Sequence, residues 1–271
     1  MCEFCTKHGE GKKWYEIMEN YSTALLAESS RQAYINGFIP YLHSAGLKID
    51  KLGTFKRKHP LVYRFIRKMG TQKMKKDHFG QVVPIEDAEG IIDLVQSITR
   101  IPCLCRKIKT GASNHRYCML LGIDPTGLIS EWPELQYNLE TLNSSEAKKL
   151  LREFDREGLV HSIWTFKTPF IGAICNCDHD CLAFRFQISS DLLDVMFKSE
   201  YIAEIVPAQC VGCRECQKLC QFGAIQYSAV NHKCYVNPLQ CYGCGVCRVG
   251  CKKEAINLLD KNELPYCSDL W

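Results

Sequence analysis

The sequence predicts an α+β chain in three parts: a helical, basic N-terminal region over 1–80, a central α+β domain over 81–202 and a small cysteine-dense module over 203–271. Three observations predict it. Apolar residues recur at helical spacing as far as Gly158, strand-like runs follow, and cysteine crowds the C-terminal end. The 271 residues carry 46% apolar and 24% charged side chains, as in an ordinary globular chain. Without a stretch of about 20 apolar residues or a basic-then-apolar start, the expected location is cytoplasmic. The net charge of +4 is too small to imply a nucleic-acid or membrane partner.

Residues 14–37 place Tyr15, Met18, Tyr21, Leu25 and Leu26 on one helical face, with Gly37 and Pro40 as stop signals. Residues 48–76, from Lys48 to Lys76, hold eleven Lys or Arg against the single acid Asp50. This reads either as a solvated face or as a docking surface for an acidic or phosphate-bearing partner. Aromatic side chains are not regularly interleaved with these cations, which argues against single-stranded nucleic acid. A second helix is expected over 86–99, from the face Ala88, Ile91, Ile92, Val95 and Ile98. A third starts at the cap Asn143-x-x-Glu146, runs through Leu150, Leu151 and Phe154, and stops at Gly158. Strand-like runs at 159–166 and 169–175 follow. Helix, strand, turn and strand in that order give the central part a winged-helix-like outline.

Eighteen cysteines in a chain without an export signal point to metal rather than disulfides. Cys210, Cys213, Cys216 and Cys220 recur at one fixed offset as Cys241, Cys244, Cys247 and Cys251, and Gly212, Ala224 and Ile225 recur at the same offset as Gly243, Ala255 and Ile256. The module is therefore an internal duplication. Each copy should fold as a cysteine loop, a helical turn and a strand starting at its Ala-Ile pair, with a hairpin over 224–236 closing through Asn231 and His232. Cys-x2-Cys-x2-Cys-x3-Cys, twice, suits two 4Fe–4S clusters, because three thiolates cap three corners of one cube and the fourth reaches the other. Cys210, Cys213, Cys216 and Cys251 are thus assigned to cluster I, and Cys241, Cys244, Cys247 and Cys220 to cluster II. Zinc is the rival occupant of paired Cys-x2-Cys.

This block resembles the bacterial-type ferredoxin domain with two 4Fe–4S clusters over about 203–262, which implies a ferredoxin-like dicluster fold and one-electron transfer. It departs from that family where Gln221 and Lys252 replace the proline after each fourth cysteine. With seven Lys or Arg against five Asp or Glu over 206–271, it looks less like an acidic shuttle than a relay built into a larger protein. Cys103 and Cys105 before Arg106, Cys118, and Cys175, Cys177 and Cys181 offer six more thiols. These segments resemble a group of uncharacterised iron–sulfur proteins from anaerobes over about 84–260, with Asp178 and Asp180 standing where further cysteines are expected. Cys105, Cys118, Cys177 and Cys181 are the candidate ligands of a third iron–sulfur cluster, with Cys103 and Cys175 as alternates. Arg106 would lower the thiol pKa values; His179 is either a ligand or a solvent-facing residue. Cys2, Cys5 and His8 have the spacing of a zinc or iron site, with Cys267 a candidate fourth ligand, and Cys234 reads as packing.

No dinucleotide fingerprint, phosphate loop or nucleophile elbow is present. The expected function is electron relay between the C-terminal clusters and the central site, as a subunit of an anaerobic redox complex. Its redox partner would be a flavoprotein or metalloenzyme docked on 48–76. The alternatives are a reductase whose central cluster binds substrate and a redox-sensing DNA-binding regulator.

Overall fold

Our computed structural model describes residues 13–128, 132–264 and 266–267. The N-terminal part is helical but not one helix. Single turns at Trp14–Glu16, Met18–Tyr21 and Thr23–Leu26 precede helix α1 (Ser29–Asn36). Trp14 and Tyr15 are adjacent and both fully buried, which one face of a continuous helix cannot arrange. The break is held by the Asn20 side-chain amide donating to the Trp14 carbonyl at 2.6 Å and by Ser22 Oγ accepting from the Leu25 N–H. Gly37 does stop α1, as its C-terminal cap, but Pro40 is not a stop. Gly37 is the hinge before helix α2 (Phe38–Lys58), and Pro40 falls in its first turn, where a missing N–H leaves no partner unsatisfied. Pro60 opens helix α3 (Pro60–Asp77) in the same way.

The centre is a seven-stranded sheet: β1 (Gly80–Val82), β2 (Ile98–Ile101), β3 (Cys118–Leu121), β4 (Glu140–Leu142), β5 (Val160–Thr165), β6 (Ile171–Cys177) and β7 (Met196–Phe197). Their order is β4-β2-β3-β6-β5-β1-β7, antiparallel except for the parallel β1–β7 pair. Helix α4 (Ile85–Leu94) ends earlier than the periodicity suggested. Val95 is extended, and Ile98 leaves the helix face to open β2 opposite Leu121. Helix α5 (Leu104–Thr110) follows β2. Helix α6 (Ser144–Arg156) begins at Asn143, whose side chain accepts from the Glu146 N–H at 3.0 Å while Glu146 bonds back to the Asn143 N–H, and ends before Gly158 at φ +85°. Such a cap contributes about 1 kcal/mol.

The sheet is covered on both faces. Along β3, Met119 and Leu121 join the core formed by α4 and α6 (Ala88, Ile91, Leu151, Phe154), whereas Leu120 joins the core formed by α1 and α2 (Ile35, Phe38, Ile39). The winged-helix outline is corrected here. The helix, strand, turn and strand exist, but β5 and β6 are interior strands of the sheet and every residue of β5 is buried. The mixed α+β class holds. Among the described residues no helix is long and apolar enough to cross a membrane.

The C-terminal module has two small antiparallel sheets, β8 (Tyr201–Ile205) with β11 (Ile256–Asp260), and β9 (Ile225–Ser228) with β10 (Lys233–Val236). The duplication is visible in the backbone. The Val206 N–H donates to the Ala255 carbonyl and the Asn237 N–H to the Ala224 carbonyl, both at 2.8 Å, and donors and acceptors alike are separated by the offset of the cysteines. The module is joined to the rest by a pair of Arg248 contacts to Glu86 at 2.8 Å, by Gln221 Nε2 donating to the Gly158 carbonyl at 3.0 Å, and by the buried ion pair Lys261–Glu200 at 2.9 Å.

Candidate metal centres

All sixteen described cysteines are free thiols. In the module, Cys210, Cys213, Cys216 and Cys251 line one cavity of about 320 Å³, although Cys251 comes from the second copy. Cys220 makes the reciprocal move: it packs on the core that holds Cys241 and Cys247, and after burial, the main cause, its nearness adds to the upward shift of Cys241, Cys244 and Cys247. Each fourth cysteine accepts an amide hydrogen bond from its own strand, Ala224 N–H to Cys220 Sγ at 3.2 Å and Ala255 N–H to Cys251 Sγ at 3.3 Å. Cys241 Sγ accepts from Gly243 N–H at 3.3 Å and Ala203 N–H at 3.5 Å. Such donors favour the thiolate over the thiol. Gly212 and Gly243 sit at φ +69° and +65°, where a Cβ would run into the His232 and Tyr201 carbonyls, so the loops close only with glycine. Burial first, and then Cys234, Cys251 and Cys210, push Cys216 up to about 12. Cys234 does pack in the module core, but it also lines the first cavity, a position its isolation in the sequence concealed.

The central thiols come from four places. Cys118 on β3 faces Cys175 on β6 across the antiparallel register, and Cys177 lies two residues on, on the same face. Cys105 is on α5, and Cys181 precedes a short turn at Leu182–Phe184. These five share a mostly apolar cavity of about 320 Å³ that α2 closes with Phe38, Tyr41 and Leu42, with exposed Lys48 at its edge. Cys103 is set apart from that cavity. Its Sγ accepts from the Tyr117 N–H at 3.2 Å and from Arg106 Nη1 at 3.3 Å, and the Cys118 thiol lies 3.5 Å away. Contacts run without a break from Cys103 through Cys118, Cys175 and Cys177 to Cys181.

Arg106 does not lower these thiols overall, contrary to the expectation from its position. The Cys118 contact and burial drive Cys103 far up and outweigh the guanidinium, and burial pushes Cys105 up to about 11. For Cys118, Cys175 and Cys177, a hydrogen bond from one neighbouring thiol pulls downward, but the next thiol in the run and burial push each well above the ordinary value. Arg106 is instead committed to structure. It is 3% exposed, pairs with Asp178 at 2.8 Å and lies over the Tyr117 ring at 4.7 Å. Asp178 and Asp180 are thus counter-ions, to Arg106 and Lys109 respectively. His179 is exposed beside the Phe184 ring.

Cys2, Cys5 and His8 lie outside the described residues; Cys267 is buried in the module core. The basic stretch forms most of α2 and all but the end of α3. Some of its cations are used internally, Lys56 on Asp191 and Arg67 on Asp191 and Asp194. Helix α3 also exposes Leu61 (84%), Phe65 (64%) and Met69 (59%) at four-residue spacing, an apolar stripe among cations that charge counting alone had hidden.

Among the described residues no group of three or more His, Cys, Asp or Glu side chains is set to hold a metal ion. A single ion needs sulfurs converging on one point, about 2.3 Å away for zinc. A polynuclear cluster takes each thiolate on a separate iron and tunes it with amide donors. The all-cysteine donor sets, glycine loops and N–H···S bonds suit the second demand. No family model, no curated protein and no solved structure matches the chain.

Proposed function

We propose that this chain is an iron–sulfur electron-transfer protein, with two clusters in the C-terminal module and the central thiols as the site they serve. The observation that carries the reading is the reciprocal exchange: Cys251 sits with the first copy's three cysteines and Cys220 with the second copy's three. Two four-thiolate sets that interlock in this way have little use as packing, since eight sulfur side chains and their amide donors would be replaced more simply by aliphatic residues. Clusters held there would supply one-electron chemistry.

The chain's own residues do the rest. The amide groups of Ala224, Ala255, Gly243 and Ala203 hold the sulfurs as acceptors. The set of Cys220 with Cys241, Cys244 and Cys247 is the one that faces the central thiols. Phe222 and Tyr242, which follow Cys220 and Cys241, stack at 4.0 Å, and Phe222 stacks on Phe184 at 5.3 Å, three residues past Cys181. These rings exclude water from the seam and fix the separation between the two sites. The central cavity supports the reductase variant of the reading, because it extends from the cysteine wall along α2 to Lys48 and so offers apolar room beside the thiols. The α3 stripe, apolar and cationic together, fits a lasting subunit contact better than a transient one. Retention in the cytoplasm, where thiols stay reduced, is part of the same proposal.

Anaerobic iron and acid-labile sulfide analysis tests it. About eight irons per chain are expected for the module alone and about twelve if the central thiols hold a third cluster. Colourless, iron-free protein from oxygen-free cells would refute the reading.

A further inference from the structure

The duplication provides its own comparison, because two copies of one backbone carry different coats. At the position after the first cysteine the second copy has Tyr242, bonded through its hydroxyl to Gln187 at 2.8 Å and stacked on Phe222; the first has Val211, 60% exposed. Phe222 corresponds to Lys253, and Gln221, tied to Gly158, corresponds to Lys252; both lysines are exposed. Val246, fully buried in the main core, corresponds to exposed Glu215, and half-buried Cys244 to exposed Cys213. Every one of these positions that packs against the body in one copy is polar or open in the other. The face around Cys213 is therefore not an accident of a small domain's surface. It is the same surface with its adhesive residues replaced.

Its charge is one-sided. Exposed Arg214, Lys252 and Lys253 rim the cavity of Cys210, Cys213, Cys216 and Cys251. Among the described residues neither Lys252 nor Lys253 has an ion-pair partner, and the rim acid Glu215 is neutralised by Lys218 at 2.7 Å. Glu254 is the remaining acid beside them. We infer that this face is the docking site of a small acidic one-electron carrier protein, so that the module is polarised, with the set Cys210, Cys213, Cys216 and Cys251 turned to the carrier and the set Cys241, Cys244, Cys247 and Cys220 joined to the central thiols. The inference rests on the function proposed above and names the partner's chemistry. In each encounter the carrier would be oxidised by one electron and the cluster that Cys210, Cys213, Cys216 and Cys251 would hold reduced by one, with no proton or bond exchanged. A polar, cationic rim suits the small and brief contacts of electron-transfer partners.

The test uses holoprotein purified without oxygen and flavodoxin as the acidic probe, with the dissociation constant measured by calorimetry at low and at physiological salt. The double variant K252E/K253E should weaken binding by about tenfold or more at low salt and flatten its salt dependence, with iron content unchanged. The variant K58E/K68E, at the last residue of α2 and on α3, should bind as the parent does. Equal affinity of K252E/K253E and parent, or a loss seen in K58E/K68E instead, overturns the inference alone. Iron-free parent protein overturns the function beneath it, and the two failures are read from separate measurements.

Discussion

His78 closes α3 and is buried against Phe38, Trp164 and Phe166, with ring centroids at 4.6, 5.0 and 5.2 Å. Burial, opposed by the hydrogen bond to the Thr165 carbonyl and by the Asp77 charge, lowers its pKa from 6.5 to about 4. The imidazole is therefore neutral in the folded chain near pH 7. Between those two values the unfolded chain binds the proton and the folded chain resists it, so stability rises with pH there and is lost as pH falls from 6.5 toward 4. Linkage over this shift gives a loss of about 2 kcal/mol between pH 7 and pH 5, and about 3 kcal/mol once both forms are protonated. The assay is anaerobic thermal unfolding of parent and His78→Asn at both pH values. Asparagine keeps a donor for the Thr165 carbonyl but does not titrate, and the difference of differences cancels acid effects on other groups. The parent should lose about 4–6 °C more than the variant on acidification. Equal losses would falsify the assignment of a suppressed imidazole to this position.

Replacing Cys251 with alanine should remove about four irons per chain, whereas Cys234→Ala, in the same cavity but outside the exchanged set, should remove none; iron analysis of both variants separates ligand from neighbour, and equal losses would contradict the exchange. Arg106→Met leaves Asp178 without its guanidinium and removes one of the donors to Cys103. Because the Asp178 side chain keeps 30% of its exposure, the cost should be about 2 kcal/mol, below the full value for a sealed pair, measured by the same unfolding assay. Arg106→Lys should recover only part of it, since lysine keeps the charge but cannot bond both groups at once. A loss for Arg106→Met no larger than that of an ordinary surface change, about 0.5 kcal/mol, would show that the ion pair contributes little.

What the sequence makes legible is local or periodic. The fixed offset between the cysteine runs locates both copies of the module, the hairpin at Asn231 and His232 forms between β9 and β10, and the Asn143–Glu146 box starts α6 where its residues say. Misreadings arise where two physical demands compete for one residue. Ile98 fits the face of α4 but pairs with Leu121, because the sheet offers it a neighbour that the helix does not. Pro40 reads as a stop because it follows the glycine that ends α1, but a new helix starts at Phe38, and in its first turn the same proline is harmless. Strand β5 contains His161, Ser162 and Thr165, polar residues that suggest one wet face, yet each is buried with a partner: His161 Nδ1 to Asn176 Oδ1 at 2.5 Å, Ser162 Oγ accepting from Trp164 Nε1 at 2.9 Å, Thr165 Oγ1 accepting from the Phe79 N–H at 3.0 Å. Composition cannot reveal such pairing across the sheet. The central thiols were legible as a group but not as a row, since their order depends on the register of β3 against β6. Arg106 was misjudged because the number of sulfurs packed around it, which sets the balance of charge, is a tertiary fact.

Swapping the fourth cysteine between copies also governs when the molecule can mature. A growing chain that has passed Cys220 already displays the whole first motif, yet it owns only three of the sulfurs that gather around that motif in space. Cys247 completes one set and Cys251 the other, so both become whole within four residues of each other. The first strand of the module, β8, waits equally long for β11. Synthesis thus delivers the two sets nearly simultaneously, to a body that has had time to fold, and any truncation before Cys247 leaves neither. If the proposed clusters are inserted, the machinery that delivers them would meet two completed sets at once rather than one after the other.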